Sequence, residues 1–211
     1  MRLQRFAFLL LLVAAPVFAQ TDVAASLYGA FSGATSSNGV KESPSNAAGG
    51  LIELRHIANP ILGFEGTYSF NRANQTYGCS VCVVPEGGSP AVCTSSGCPV
   101  PPPPLPVHAN AHEITADWVP SLKFANLRPF GVLGVGLLLD VPASGQSNTS
   151  TAAEAVYVYG AGLDWGLLPH FGLRFQYRGN LYKSPDLSKL YTSADAFTQT
   201  AEPMVGVYFR L

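Results

Sequence analysis

The sequence predicts an all-β fold, an eight-stranded antiparallel transmembrane β-barrel whose strands follow one another as an up-and-down meander. Three observations support this: side chains alternate with a period of two, connections alternate in length, and charged residues are scarce. The alternation is clearest in residues 157–178, YVYGAGLDWGLLPHFGLRFQYR, where aromatic and aliphatic side chains occupy every second position. Glycine and polar residues, including Asp164, Arg174 and Arg178, occupy most of the others. Lipid outside and a crowded polar interior would require this pattern.

Eight segments of strand length show this alternation. They are residues 23–32, 48–57, 62–71, 113–124, 130–140, 157–165, 171–181 and 203–211. The connections after the second, fourth and sixth segments are turns of about three to five residues, whereas the others are long. Short periplasmic turns and long extracellular loops are typical of membrane barrels, and an even strand number places both chain ends on the periplasmic side. A soluble sandwich or a lipocalin-like barrel is the alternative, and either would need an apolar interior.

The composition is consistent with one domain in a membrane. The chain has 211 residues, of which 12% are charged, against about 25% in ordinary soluble domains. Lysine plus arginine and aspartate plus glutamate nearly balance, and no basic stripe is present. Nucleic acid is therefore not an expected partner.

Residues 1–19, MRLQRFAFLLLLVAAPVFA, have the three parts of a secretory signal peptide. Arg2 and Arg5 form the positive region, an apolar run follows, and small residues precede Gln20. We expect cleavage after Ala19, which leaves residues 20–211 as the barrel domain. The alternative is a retained membrane anchor. No later run approaches the roughly 20 apolar residues of a transmembrane helix.

Two segments carry a resemblance to a known family. Residues 159–178 resemble the penultimate hairpin of OmpA-like and OmpX-like small outer-membrane β-barrel proteins. The C-terminal alternation Val205, Val207, Phe209 and Leu211 resembles the signal read by the barrel-assembly machinery of Gram-negative bacteria, although that signal usually ends in Phe. The resemblance implies a location in the outer membrane, contact with its lipid, insertion by that machinery, and a structural or surface-interaction role through extracellular loops. The external ligand is unknown.

All four cysteines lie in one long predicted loop, residues 72–108. They are Cys79, Cys82, Cys93 and Cys98. Paired cysteines can hold zinc, but a secreted chain crosses an oxidising compartment, so we expect two disulfides. Four cysteines can form two disulfides in three different pairings, and the sequence does not choose among them. The stretch that follows, PVPPPPLP, favours a polyproline II conformation, either as a stiff stalk or as a ligand for a proline-binding module.

The polar face of the predicted strands carries a set of charges that would meet inside the barrel. They are Glu53, Arg55, Glu65, Asp117, Lys123, Asp140, Asp164, Arg174, Arg178, Glu202 and Arg210. Eight strands leave an interior just wide enough for side chains to fill. We therefore expect paired charges that plug the barrel, with Tyr28 and Tyr208 adding bulk. The alternative is a narrow channel for small solutes or ions, which conductance measurements would reveal.

Catalysis has little support in the sequence. Some small outer-membrane barrels modify lipids with a His and a Ser two residues apart on one strand face. None of the four histidines has Ser two residues later. Without a compact nucleophile–base pair, we predict no catalytic residues, no cofactor and no metal site, and a lipid-modifying enzyme is the least favoured alternative.

Overall fold

The computed structural model of the chain describes residues 19–79, 104–191 and 194–211. These residues form twelve β-strands, and among them there is no helix long and apolar enough to span a membrane. The strands are β1 (Gln20–Ser32), β2 (Thr35–Ser37), β3 (Val40–Pro44), β4 (Ala47–Ile57), β5 (Gly63–Arg72), β6 (Gln75–Cys79), β7 (Leu105–Val107), β8 (Ala109–Trp118), β9 (Leu127–Pro142), β10 (Ala152–Gly166), β11 (Phe171–Lys183) and β12 (Phe197–Arg210).

Eight of these strands close into one antiparallel barrel. Its members are the strands β1, β4, β5, β8, β9, β10, β11 and β12, each paired with its neighbours in chain order. The first and last strands pair with each other, from Asp22 opposite Arg210 to Ser32 opposite Thr200, which completes the ring. The predicted eight-stranded meander is therefore confirmed.

The two faces of the barrel wall have opposite chemistry. Leu27, Ile114 and Leu137 expose 72%, 63% and 65% of their surface on the outside. In contrast, the side chains of Arg55, Arg174 and Arg178 are completely buried inside. A soluble sandwich or a lipocalin-like barrel would bury the aliphatic residues instead, so the structure favours a wall that faces lipid.

Aromatic side chains flank the aliphatic band on the outer surface. One group lies near the short turns and comprises Phe64, Trp118, Trp165, Phe171 and Phe209. A second group lies towards the long loops and comprises Phe31, Tyr68, Phe70, Tyr157, Tyr159 and Phe197. Aromatic rings favour the boundary between lipid and water, so the two groups mark both edges of the membrane-spanning zone.

Several predicted strand boundaries were wrong. β8 begins at Ala109 and β10 at Ala152, four and five residues before their predicted starts, and two further boundaries differ as well. The segment predicted to continue to Phe124 leaves the ladder after Trp118, and Pro120 follows two residues later. Only isolated bridges, Ser121 to Phe130 and Phe124 to Leu127, continue the pairing, so this connection is eight residues long rather than a tight turn. The last strand begins at Phe197, six residues before the predicted start, and includes Pro203 within the sheet.

The long-loop end carries a second, four-stranded sheet in the order β2-β3-β6-β7, where the sequence predicts only loops. This sheet packs against residues 184–191, and together they form what we call the cap. Its core contains Val40, Tyr77, Val107 and Leu187. The cap is held at the barrel rim because Ala109 and Ala152, at the starts of β8 and β10, belong to the same cluster.

Candidate functional site

The centre of the barrel is a buried ion-pair network around Arg174. Its guanidinium contacts three carboxylates from three strands: Asp22 at 2.8 Å, Glu53 at 2.5 Å and Asp164 at 2.7 Å. All four side chains are almost completely buried. Charge-assisted hydrogen bonds of this kind are what make a buried guanidinium tolerable, because an unpaired buried charge is very costly.

Arg55 and Arg178 extend this network along the barrel axis. Arg55 donates from Nε to Glu65 at 2.6 Å and lies 3.4 Å from Asp164. Arg178 lies 3.2 Å from Asp117 and 3.4 Å from Glu113. Three arginines therefore bridge the interior faces of most of the barrel strands.

Aromatic side chains fill the remaining cross-section at the level of Arg174. The guanidinium carbon of Arg55 lies 4.0 Å from the ring centre of Phe130, and that of Arg174 lies 5.4 Å from the ring centre of Tyr208. Cation–π contacts of this kind stabilise a buried guanidinium further. The lack of a side chain at Gly134 leaves room for Asp117, because a Cβ at residue 134 would overlap the carboxylate.

The structure places nine of the eleven predicted lumen charges in the buried interior. These nine are Glu53, Arg55, Glu65, Asp117, Asp140, Asp164, Arg174, Arg178 and Glu202. The prediction for Lys123 was wrong. This residue is exposed on the connection after β8, because that strand ends five residues earlier. Arg210 is partly exposed at the turn end, where Nη1 donates to the carbonyl of Pro169 at 3.3 Å.

Three buried interior charges are absent from the predicted set. Asp22 precedes the predicted start of its strand by one residue, although its position relative to Ala24 already places it on the inner face. Glu113 lies on the predicted polar face and could have been included. Arg128 lies in a predicted turn that is strand in the structure, and it donates to Gln20.

The four-stranded sheet of the cap is fastened to residues 184–191 by a buried tyrosine. The hydroxyl of Tyr77 donates to the carbonyl of Pro185 at 2.9 Å and accepts from the amide of Leu187 at 3.0 Å. The ring of Tyr77 also stacks on Tyr191, with the ring centres 5.8 Å apart. Two loops that lie more than 100 residues apart in sequence are thereby joined.

A buried carboxylate completes the cap. The hydroxyl of Ser184 donates to Glu42, and the hydroxyl of Thr35 donates to Ser184 at 3.3 Å. Burial raises the pKa of Glu42 above its ordinary value of 4.5, against the opposing effect of the Ser184 hydrogen bond. The loop after β9 joins as well, because the amide of Ser150 donates to the carbonyl of Leu187 at 3.0 Å.

The sequence matches the family described as the outer membrane protein beta-barrel domain over residues 6–209. The chain belongs to this family. An outer-membrane location follows for the barrel. The resemblance noted from the sequence is confirmed, since the related solved structures are small outer-membrane barrels as well.

Three of those solved structures show how general the fold is. Neisserial surface protein A is 14% identical, with 92% of this chain and 99% of that chain covered and a TM-score of 0.54. OprG from Pseudomonas aeruginosa is 10% identical, with 92% and 97% covered and a TM-score of 0.52. Ail of Yersinia pestis, in complex with the heparin analogue sucrose octasulfate, is 15% identical, with 92% and 99% covered and a TM-score of 0.51. At these identities the likeness concerns the fold alone. No curated protein matches the sequence.

The four residues of the predicted assembly signal share one face of β12 and the chain end. Val205, Val207, Phe209 and Leu211 expose their side chains on the outer surface of this outer-membrane barrel. In contrast, Met204 and Tyr208 point inward and are buried.

Several sequence predictions fall on residues outside the described ranges. They are the signal peptide up to residue 18, the side chains of the four cysteines and most of the proline-rich stretch. Among the residues that are described, no group of three or more His, Cys, Asp or Glu side chains is arranged to hold a metal ion by itself.

Proposed function

We propose that the protein is a closed barrel of a Gram-negative-type outer membrane that acts through its extracellular loops, neither transporting solutes nor catalysing a reaction. The signal peptide, residues 1–19, would be cleaved during export. The observation that carries this proposal is the contrast between the two parts of the molecule. Ion pairs and aromatic rings cross the interior, whereas the extracellular loops form an ordered cap.

Closure of the interior is supported by the geometry around Arg174. Carboxylates from β1, β4 and β10 all reach this one guanidinium, so the side chains meet across the barrel axis. An open pore would need water between these groups, whereas direct contacts of 2.5 to 2.8 Å leave none. The interior is therefore better suited to stabilising the barrel than to conducting ions.

An interaction role is supported by the cap. A barrel whose loops only connected strands would not require a buried core above the rim, because loops tolerate irregular and mobile conformations. Here Tyr77, Val107 and Leu187 fix strands β6 and β7 against residues 184–191. A rigid surface loses less conformational entropy on binding, which favours recognition of an external ligand. The chain between β6 and β7 contains three of the four cysteines.

Biogenesis would follow the family pattern. The outer-facing residues Val205, Val207 and Phe209 on the last strand would be recognised by the barrel-assembly machinery before β12 pairs with β1. Outer-membrane lipid would then cover the aliphatic band. These are the two partners that the fold itself requires, in addition to the unknown ligand.

Conductance in a planar lipid bilayer tests the closed interior. We expect the purified protein to give no stable unit steps in potassium chloride solution. An unrelated trimeric porin, purified in the same detergent, provides the positive control. Reproducible steps of one defined size would overturn the proposal and establish the narrow channel instead.

Epitope tags on intact cells test the orientation. Gly145 is exposed in the loop after β9, and exposed loop tips are the sites where insertions are best tolerated. We expect a tag at residue 145 to bind antibody on intact cells, and a matched tag at Asn126, in a turn at the opposite end, to require permeabilised cells. The reverse pattern would place the cap in the periplasm and contradict the proposed role.

A further inference from the structure

Beneath the cap, the barrel contains a small cavity of about 40 Å³, lined by both polar and apolar residues. Acidic and amide side chains from six strands line it, together with hydroxyl groups. These six are Asn71, Gln75, Glu113, Asp140, Asn180 and Glu202. A space of this size accommodates an ion with one or two waters, since a single water needs at least about 10–15 Å³.

The cavity is surrounded by oxygen atoms that lack partners. Asp140 Oδ1, Glu202 Oε2, Asn180 Oδ1 and Gln75 Oε1 are buried and make no hydrogen bond to any described residue. All four are acceptors, and no unpartnered donor among the described residues lines the same space. Two of the four are amide oxygens, so the unpartnered acceptors are not confined to acidic side chains.

The charges in the interior do not balance within the described residues. Eight acidic side chains but four arginines are buried in the barrel. The acids are Asp22, Glu53, Glu65, Glu113, Asp117, Asp140, Asp164 and Glu202; the arginines are Arg55, Arg128, Arg174 and Arg178. No described lysine or arginine lies within 4.0 Å of the carboxylates of Asp140 and Glu202. Buried carboxylates of this kind require a compensating positive charge or a proton.

We propose that this cavity binds a calcium ion, held by the carboxylates of Asp140 and Glu202 and the amide oxygens of Asn180 and Gln75. Calcium accepts six to eight oxygen ligands in flexible geometry and completes its shell with water. Magnesium is less suited, because it demands near-octahedral geometry at shorter distances.

The position of the cavity gives the ion a defined role. Gln75 belongs to β6 of the cap sheet, whereas Asp140, Asn180 and Glu202 belong to the barrel wall. One ion would therefore join the cap to three barrel strands. An ion that binds only the folded state stabilises that state. Well above the dissociation constant, the gain in stability increases with the logarithm of the free calcium concentration.

Thermal unfolding tests the proposal. The protein is purified in detergent and freed of lipopolysaccharide, and the temperature at which its gel mobility shifts is measured. We compare calcium chloride, magnesium chloride and a chelator for the wild type, Glu202→Gln, Asp140→Asn and the control Glu154→Gln, whose carboxylate lies outside the cavity. Calcium should raise the transition of the wild type and the control, and magnesium should do so less. Glu202→Gln and Asp140→Asn should be at least as stable as the wild type in chelator, because each removes an uncompensated buried charge, yet gain nothing from calcium.

Terbium luminescence provides a second readout that does not depend on stability. Tyr182 lines the cavity and can sensitise a bound terbium ion on excitation. We expect emission that calcium displaces, weakened in Tyr182→Phe, and an affinity reduced at least about tenfold in Glu202→Gln because affinity depends on ligand charge. The proposal is overturned if calcium changes neither readout in the wild type, or if Glu202→Gln and Asp140→Asn keep the full calcium response.

Discussion

Arg174 and Glu53 lie 121 residues apart in sequence, and their side chains meet inside the barrel with Nη1 2.5 Å from Oε2. One residue belongs to β11 and the other to β4, strands that are not neighbours in the wall. The contact therefore crosses the interior, and it ties distant parts of the ring together.

Replacing Arg174 should be severely destabilising. Arg174→Met leaves the carboxylates of Asp22, Glu53 and Asp164 without their shared guanidinium, and breaking a buried ion pair costs about 3–5 kcal/mol. Urea unfolding followed by gel mobility should show this loss, whereas the exposed Arg72→Met should unfold like the wild type. Adding Glu53→Gln to Arg174→Met should recover part of the loss. An unchanged midpoint for Arg174→Met would mean that the network does not hold the barrel together.

Pro203 interrupts the seam between the first and last strands. The register on either side would pair Gly29 with Pro203 and Ala30 with Glu202, and both pairs are absent from the ladder. Proline has no N–H to donate to β1. Pro203→Val should restore one hydrogen bond, worth about 1 kcal/mol, partly offset by the greater freedom of the unfolded chain.

Hydrogen exchange along β1 and β12 measures this effect. We expect slower exchange around Ala30 in Pro203→Val. The matched control is Pro129→Val, because Pro129 already pairs with Leu163 in a continuous ladder and lies beyond the paired part of β8. Equal exchange in Pro203→Val and the wild type would show that the seam is closed by other contacts.

The hydroxyl of Tyr77 should matter for the cap and not for the barrel. Tyr77→Phe removes the partner of the Leu187 amide and of the Pro185 carbonyl, and leaving such buried groups unpaired costs about 1–3 kcal/mol. Mass-spectrometric hydrogen exchange should increase in residues 184–191, while the temperature of the gel shift stays unchanged. The lipid-facing Tyr157→Phe serves as a control. A loss of barrel stability in Tyr77→Phe would show that cap and barrel unfold as one unit.

Glu42 should make the cap sensitive to pH. Its pKa is raised above 4.5 in the folded protein, so the folded state holds a proton that the unfolded chain has released. Stability from this group is therefore greatest below pH 4.5 and declines as the pH rises through the raised pKa. Protease digestion of the cap should be faster on the alkaline side of that window. Glu42→Gln should remove the difference, and a pH response that persists in Glu42→Gln would assign it to another group.

The inner and outer faces of the wall could be predicted from sequence because alternation in a strand is a local property. Nine of the eleven predicted lumen charges lie inside for this reason, and Lys123 failed only because its strand ends at Trp118. Which acid each arginine contacts could not be predicted, since the stagger of the closed ring decides that Arg174 reaches Glu53 and Asp22.

The cap had no comparable signal. Strands β2 and β7 are three residues long, which is too short for a periodic pattern, and their sheet order joins segments from two separate loops. Its stability depends on contacts such as Tyr77 with Leu187, 110 residues away in the chain. Contacts of that range are decided by three-dimensional proximity and have no local counterpart in the sequence.

The pairing of β1 with β12 has a consequence for how the molecule is made. Asp22 pairs with Arg210, 188 residues later, so the ring cannot close until the last strand of the barrel, β12, has been synthesised. A prematurely terminated copy would present two unpaired strand edges instead of none. Only a chain that includes β12 can therefore form the closed ring. A nonsense mutation even in this last strand should lead to degradation rather than to a shorter working protein.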